Sequence, residues 1–181
     1  PEGAPLVFQE IEVYGSKQVR PAIQHLLSAD LQGSGHLSSL AVTTAGELIV
    51  LDDRGRECWR HQFDATVNHI SCHDLFGDGR MYVCAALLGG DLVILDPDGQ
   101  PWKRLNLGAQ FFARSDVFFG WLYSIYSICV WQRDERGRAA LAVGAYSVVV
   151  FLEVEVQIIW HLWADAPFMF NILPGDLKSV L

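Results

Sequence analysis

The chain has 181 residues, 51% hydrophobic and 19% charged, which is apolar enough for a packed domain and excludes a disordered one. Its formal net charge is −8 and no Lys/Arg cluster breaks that balance, so a phosphate-backbone partner is excluded and no nucleic acid is expected. The most apolar stretch, Val117–Trp131, is too short to cross a membrane as a helix and contains Ser124 and Ser127, so no transmembrane segment is expected.

In chain order, Pro5–Tyr14 predicts a partial strand. From Ile23 a pattern begins that returns at an offset of 44 residues. Ile23-Gln24-His25-Leu26 overlays Val67-Asn68-His69-Ile70. Asp30-Leu31-Gln32-Gly33-Ser34-Gly35 overlays Asp74-Leu75-Phe76-Gly77-Asp78-Gly79, and Leu48-Ile49-Val50-Leu51-Asp52 overlays Leu92-Val93-Ile94-Leu95-Asp96. One unit reads as four short strands. Val67–Cys72 meets a tight turn whose glycines permit positive φ, Met81–Leu87 returns, and Gly89-Gly90 makes a hairpin. Asp91–Leu95 then runs into the turn Asp96-Pro97-Asp98-Gly99, and a fourth strand follows from Trp102 to Leu107.

A third copy follows at an offset of 58, with Ile125 and Ile128 after Val67 and Ile70, and Gly137-Arg138 after Gly79-Arg80. The additional residues form an insertion over 107–123. Near the end, Ile172–Leu177 resembles the start of a fourth copy. The expected units are 19–62, 63–107 and 121–163, with partial strands at both ends. Four short strands every 44 residues predict an all-β fold, a β-propeller of four-stranded blades. A β-sandwich also has evenly spaced strands, but it does not call for a tandem repeat. Three units are fewer than a closed propeller uses, so the sequence reads as an incomplete arc. It would belong to a longer protein, a small ring with degenerate blades, or one side of a composite assembly.

The phrases "DLQGSGHLSSLAVTTAGELIVLDDRGRECWRHQF" and "DLFGDGRMYVCAALLGGDLVILDPDGQPWKRLNL" resemble the FG-GAP/VCBS type of repeat, and also the quinoprotein-like propeller repeat. The resemblance covers Ile23–Leu107 and, more weakly, Ile125–Trp160. It implies the propeller fold and leaves the task open. Toward the end, "VVVFLEVEVQ" is similar to a closing strand of the integrin-alpha FG-GAP repeat-containing family. That resemblance implies a cytosolic scaffold subunit of the KICSTOR complex of nutrient signalling.

FG-GAP loops that bind calcium resemble D-x-D-G-D-G, with alternate carboxylates around the ion. Here Asp30 is followed by Gln32 and Ser34, and Asp74 and Asp78 flank Phe76. Such degenerate loops predict turn-stabilising carboxylates, and no metal or other cofactor is expected. His25 and His69 occupy equivalent positions without a third partner, and read as rim or core histidines. The four cysteines lack C-x-x-C spacing and read as small buried hydrophobes in a reducing compartment. Asp53-Arg54-Gly55 followed by Trp59, and Asp98-Gly99 followed by Trp102, resemble the segments of quinoprotein blades in which Trp locks neighbouring blades, a structural role.

No Walker loop, nucleophile elbow, H-E-x-x-H or G-x-G-x-x-G occurs, so no catalytic residue is assigned and no enzyme activity is expected. The function expected is a non-catalytic scaffold that contacts protein partners, in the cytoplasm. The aromatics Phe118, Phe119 and Trp121 of the insertion, with Trp163 and Phe168 further on, are the candidate partner anchors. The alternative is the propeller part of a secreted or surface protein that binds or processes carbohydrate or another ligand.

Overall fold

A computed structural model describes residues 21–108, 124–145, 148–153 and 158–163. Twelve strands occur among them: β1 Ile23–Ala29, β2 Ser38–Thr43, β3 Glu47–Leu51, β4 Glu57–Gln62, β5 Val67–His73, β6 Tyr82–Leu87, β7 Asp91–Leu95, β8 Pro101–Asn106, β9 Ile125–Arg133, β10 Ala139–Ala145, β11 Val148–Leu152 and β12 Ile158–Trp163. They form three antiparallel sheets in simple chain order, β1 to β4, β5 to β8 and β9 to β12. These are propeller blades, and the fold is an all-β propeller arc. None of the described residues forms a helix long and apolar enough to cross a membrane.

The blades share irregularities as well as strands. The first strand of each slips register near its start, at Gln24, Asn68 or Tyr126, and β9 slips a second time at Trp131. The fourth strand slips at Cys58, Trp102 or Ile159. Such bulges bend and twist a strand. The fourth-strand slip corrects one sequence expectation. Trp59 pairs in register opposite Val50, whereas the residue opposite Ile94 is Lys103. Trp59 and Trp102 are therefore not equivalent, because Trp102 sits on the bulge itself.

Blades pack through the alternation of their strands. On β6, Val83, Ala85 and Leu87 join the core shared with the first blade, while Cys84 and Ala86 join the core shared with the third. Both cores are mainly aliphatic, with Leu40, Val42, Leu48 and Val50 on one side and Leu141, Val143, Val150 and Leu152 on the other. Backbone hydrogen bonds also cross between blades: Met81 N–H donates to Leu31 C=O at 3.0 Å, and Ala139 N–H to Leu75 C=O at 2.8 Å.

Candidate functional site

The Asp-Leu-x-Gly turns join β1 to β2 and β5 to β6, and each performs three tasks. The Asp folds the turn. Asp30 accepts the N–H groups of Ser34 (3.0 Å) and Gly35 (2.6 Å), and Asp74 accepts those of Gly77 (2.7 Å) and Gly79 (3.1 Å). The Gly35 N–H, ahead of the other contacts, holds the Asp30 carboxyl below its ordinary range. The Leu is buried between blades, and its carbonyl accepts the bond from the next blade. The Gly allows the turns to stack, since a Cβ on Gly33 would lie 2.7 Å from Gly79 O and one on Gly77 2.9 Å from Arg136 O.

Gln32 and Phe76 stand where a calcium loop would have its middle ligand, and both have other partners. Gln32 Nε2 donates to Asp98 Oδ1 (2.9 Å) and to Pro97 O (3.3 Å) on the second blade. Phe76 packs edge-on against Tyr82 and Trp102, with centroids 5.0 and 5.4 Å away. In the third blade the turn is shorter. Asp134 accepts the N–H groups of Arg136 and Arg138, both at 2.9 Å, in the pattern of Asp52 with Arg54 and Arg56. That shortening explains why Asp134 and Glu135 fall out of step with the first two turns. Among the described residues no three His, Cys, Asp or Glu side chains are grouped to hold a metal ion.

Trp59 locks two blades. Its Nε1–H donates to Pro97 O at 3.2 Å, and its ring covers Gly99, where a Cβ would lie 2.6 Å from ring carbons. Trp102 instead packs within its own blade and stays partly exposed. Between β4 and β8 lies an open groove of about 410 Å³, lined by His61, Phe63, Val93, Trp102 and Lys103 among others. Arg104 on its rim is bound to Asp64 (2.8 Å) and to Asp91.

The histidines serve as polar groups within the packing. His25 Nε2 lies 3.1 Å from Val67 O, and His73 Nε2 lies 3.0 Å from Ser71 Oγ. Burial pushes His73 down to about 4 and also lowers His69, where the nearby His25 adds to the effect. Burial likewise pushes the Cys72 thiol up to about 12 and raises Cys84. Cys58 departs from the expectation of burial: it sits on the β4 bulge and is exposed.

Of the candidate anchors, Trp163 ends β12 opposite Val148 in register. Phe118, Phe119, Trp121 and Phe168 lie outside the described residues. The large apolar residues that the described surface does expose are Ile23, Leu26, Leu37, Leu88, Trp102 and Tyr126. Sequence reasoning missed Ile23, Leu26 and Leu37. The signal lay in the repeat, which aligns them with Val67, Ile70 and Met81, residues that a preceding blade covers or packs against.

No protein-family model and no curated protein matches this sequence. Solved β-propellers do match its fold. BBS1N, in a complex with ARL6DN, superposes with a TM-score of 0.56 at 14% identity over 77% of this chain and 39% of that one. U3-55K gives 0.53 at 13% identity over 72% of this chain and 37% of that one. The RRP9 WD40 repeats give 0.52 at 13% identity over 72% and 36%. The chain thus spans well under half the length of the solved chains it matches. At such identities the likeness establishes the propeller fold and nothing finer.

Proposed function

We propose that the chain is a non-catalytic propeller scaffold that mediates protein–protein contacts in a cytosolic signalling complex and works without a metal or cofactor. The observation that carries this reading is the use made of the polar turn residues. The carboxylates of Asp30, Asp52, Asp74, Asp96 and Asp134 each accept backbone N–H bonds of their own turn. Gln32 and Trp59 bond across to the next blade. Chemistry-bearing side chains are thus engaged in holding shape, as a rigid binding surface requires. The complex of BBS1N with ARL6DN shows one propeller of this fold holding a protein partner, and the same is proposed here.

Affinity purification of the tagged chain from cytosol, with a calcium chelator present, is expected to bring down a protein at fixed stoichiometry. Replacing Phe118, Phe119 and Trp121 together by Ser is expected to abolish that capture at unchanged thermal stability. Calcium-dependent binding to a glycan array, with no protein captured, would overturn the scaffold reading in favour of a carbohydrate-binding propeller.

A further inference from the structure

Each blade presents one face to the blade before it and the other to the blade after it. In the first blade the forward-looking face carries the pattern of an interface, yet its key positions are open. Val67 and Ile70 are 0% and 8% exposed, and Ile125 and Ile128 are 0% and 6% exposed. The equivalent Ile23 and Leu26 are 64% and 70% exposed, and Leu37, the equivalent of Met81 and Ala139, is 60% exposed. We propose that this face docks a further β-propeller blade whose first turn reads Asp-Leu-x-Gly, supplied by a partner stretch of polypeptide. The proposal rests on the scaffold reading and specifies one contact through which it operates.

Three features define the occupant. The apolar surface of Ile23, Leu26 and Leu37 matches what Leu31 and Leu75 of a preceding blade help to cover elsewhere. The N–H groups of Met81 and Ala139 are bonded by the Leu31 and Leu75 carbonyls, whereas the Leu37 N–H has no partner among the described residues. Gly99 lies under the Trp59 ring, whereas its equivalent Gly55 has open space where a Cβ would stand. A blade that brings a buried Leu, that Leu's carbonyl and an aromatic N–H donor fits all three.

The same chemistry disfavours a second copy of this chain. Asp-Leu-x-Gly occurs at Asp30 and Asp74 and nowhere else in the sequence, and both turns are engaged with the following blade. The third blade of another copy would present the shorter turn Asp134–Arg138. Where the first two blades have Leu it has Arg133, whose guanidinium already donates to Asp74 O (2.9 Å) and Gly137 O (2.6 Å).

The test is a fusion in which an added copy of residues 64–107, carrying Lys103→Trp to supply the aromatic donor at the position equivalent to Trp59, is joined by a flexible linker ahead of the whole chain. Amide hydrogen exchange at Leu37 is expected to slow by about tenfold or more, and Leu75→Lys in the added copy alone is expected to restore fast exchange. Unchanged exchange at Leu37, or equal protection by an added copy of residues 124–163, would overturn the proposal. So would self-association of the unfused chain that protects Leu37, because the occupant would then be a second copy. The unfused double variant Leu26→Arg, Leu37→Arg gives a measurement that does not need the added blade to fold. Its melting temperature is expected to stay unchanged, and unfolding would show that the face is already covered. Protection of Leu37 without a cytosolic protein captured would sink the scaffold reading and leave the blade face standing; the reverse result would do the opposite.

Discussion

The turns Asp52–Arg56 and Asp96–Gln100 are locally the same. In each, the Asp N–H donates to the carbonyl four residues on, the Gly N–H returns to the Asp carbonyl, and the Asp side chain accepts two further N–H groups. Gly55 and Gly99 have φ of 76° and 83°. Only the second turn is gripped, by Trp59 and Gln32 of the blade before it. The first strands differ in the same way, with Ile70 buried and Leu26 open. Local folding in this repeat comes from the unit itself, but burial comes from the preceding blade. Equal residues therefore carry unequal stability.

The largest expected effect tests that inequality directly. Ile70→Ala should cost on the order of 2–5 kcal/mol in urea unfolding, as buried aliphatic truncations do. Leu26→Ala, at the equivalent open position, should fall within about 0.5 kcal/mol of the parent. Equal losses would break the comparison.

A pH profile sharpens it, because a half-buried histidine, His73, belongs to the packed interface. His73 lies near Ile128 and Arg133 of the third blade and near His69 of its own, and the equivalent residue in the first blade is Ala29. Burial holds His73 neutral down to about 4, against 6.5 ordinarily. Between those values the unfolded chain binds the extra proton, so stability rises with pH in that window. The contribution is full above about 6.5 and is lost as pH falls to about 4, a total of about 3 kcal/mol. His73→Asn should flatten that part of the profile, and an unaltered slope would place the titration elsewhere.

The two turns provide a smaller contrast. Gly99→Ala meets the Trp59 ring as well as an unfavourable positive φ, and should cost about 2–3 kcal/mol. Gly55→Ala meets only the φ, at about 1 kcal/mol. Thermal unfolding of the pair would measure the grip of Trp59, and Trp59→Phe should remove about 1 kcal/mol of it with the lost N–H donor.

Strand positions were legible because alternation and turn chemistry are local: Asp91–Leu95 falls where the pattern places it, β5 differs from expectation by one residue at its end, and β8 is shifted by one residue at both ends. The bulges were not legible, since a slipped register leaves the spacing of the letters unchanged. The difference between Trp59 and Trp102 was nevertheless readable, because the 44-residue offset aligns Trp59 with Lys103 and Trp102 with Cys58. The role of Gln32 was hidden. Its partners Pro97 and Asp98 are more than 60 residues away, and only the stacking of blades brings them together.

The smallest expected effect concerns calcium, and it separates loss of ligands from loss of loop shape. A calcium ion takes six to eight oxygens, mostly from alternate side chains of one loop. At Asp30 both carboxylate oxygens accept backbone N–H bonds, and the next ligand position holds Gln32, turned to the second blade. At Asp74 the next position holds Phe76, committed to an aromatic cluster. Calcium should therefore leave the melting temperature of the chain unchanged, and a calcium-dependent rise would overturn the cofactor-free reading. The double variant Gln32→Asp, Ser34→Asp restores alternate carboxylates while removing the tie to Pro97 and Asp98. It should be less stable than the parent without calcium. If calcium then recovers that loss, the backbone of the turn still fits the ion, and exchange of ligands for blade contacts is what separates this turn from a calcium loop. If calcium does nothing, the stacking of Gly33 on Gly79 has closed the loop to the ion as well.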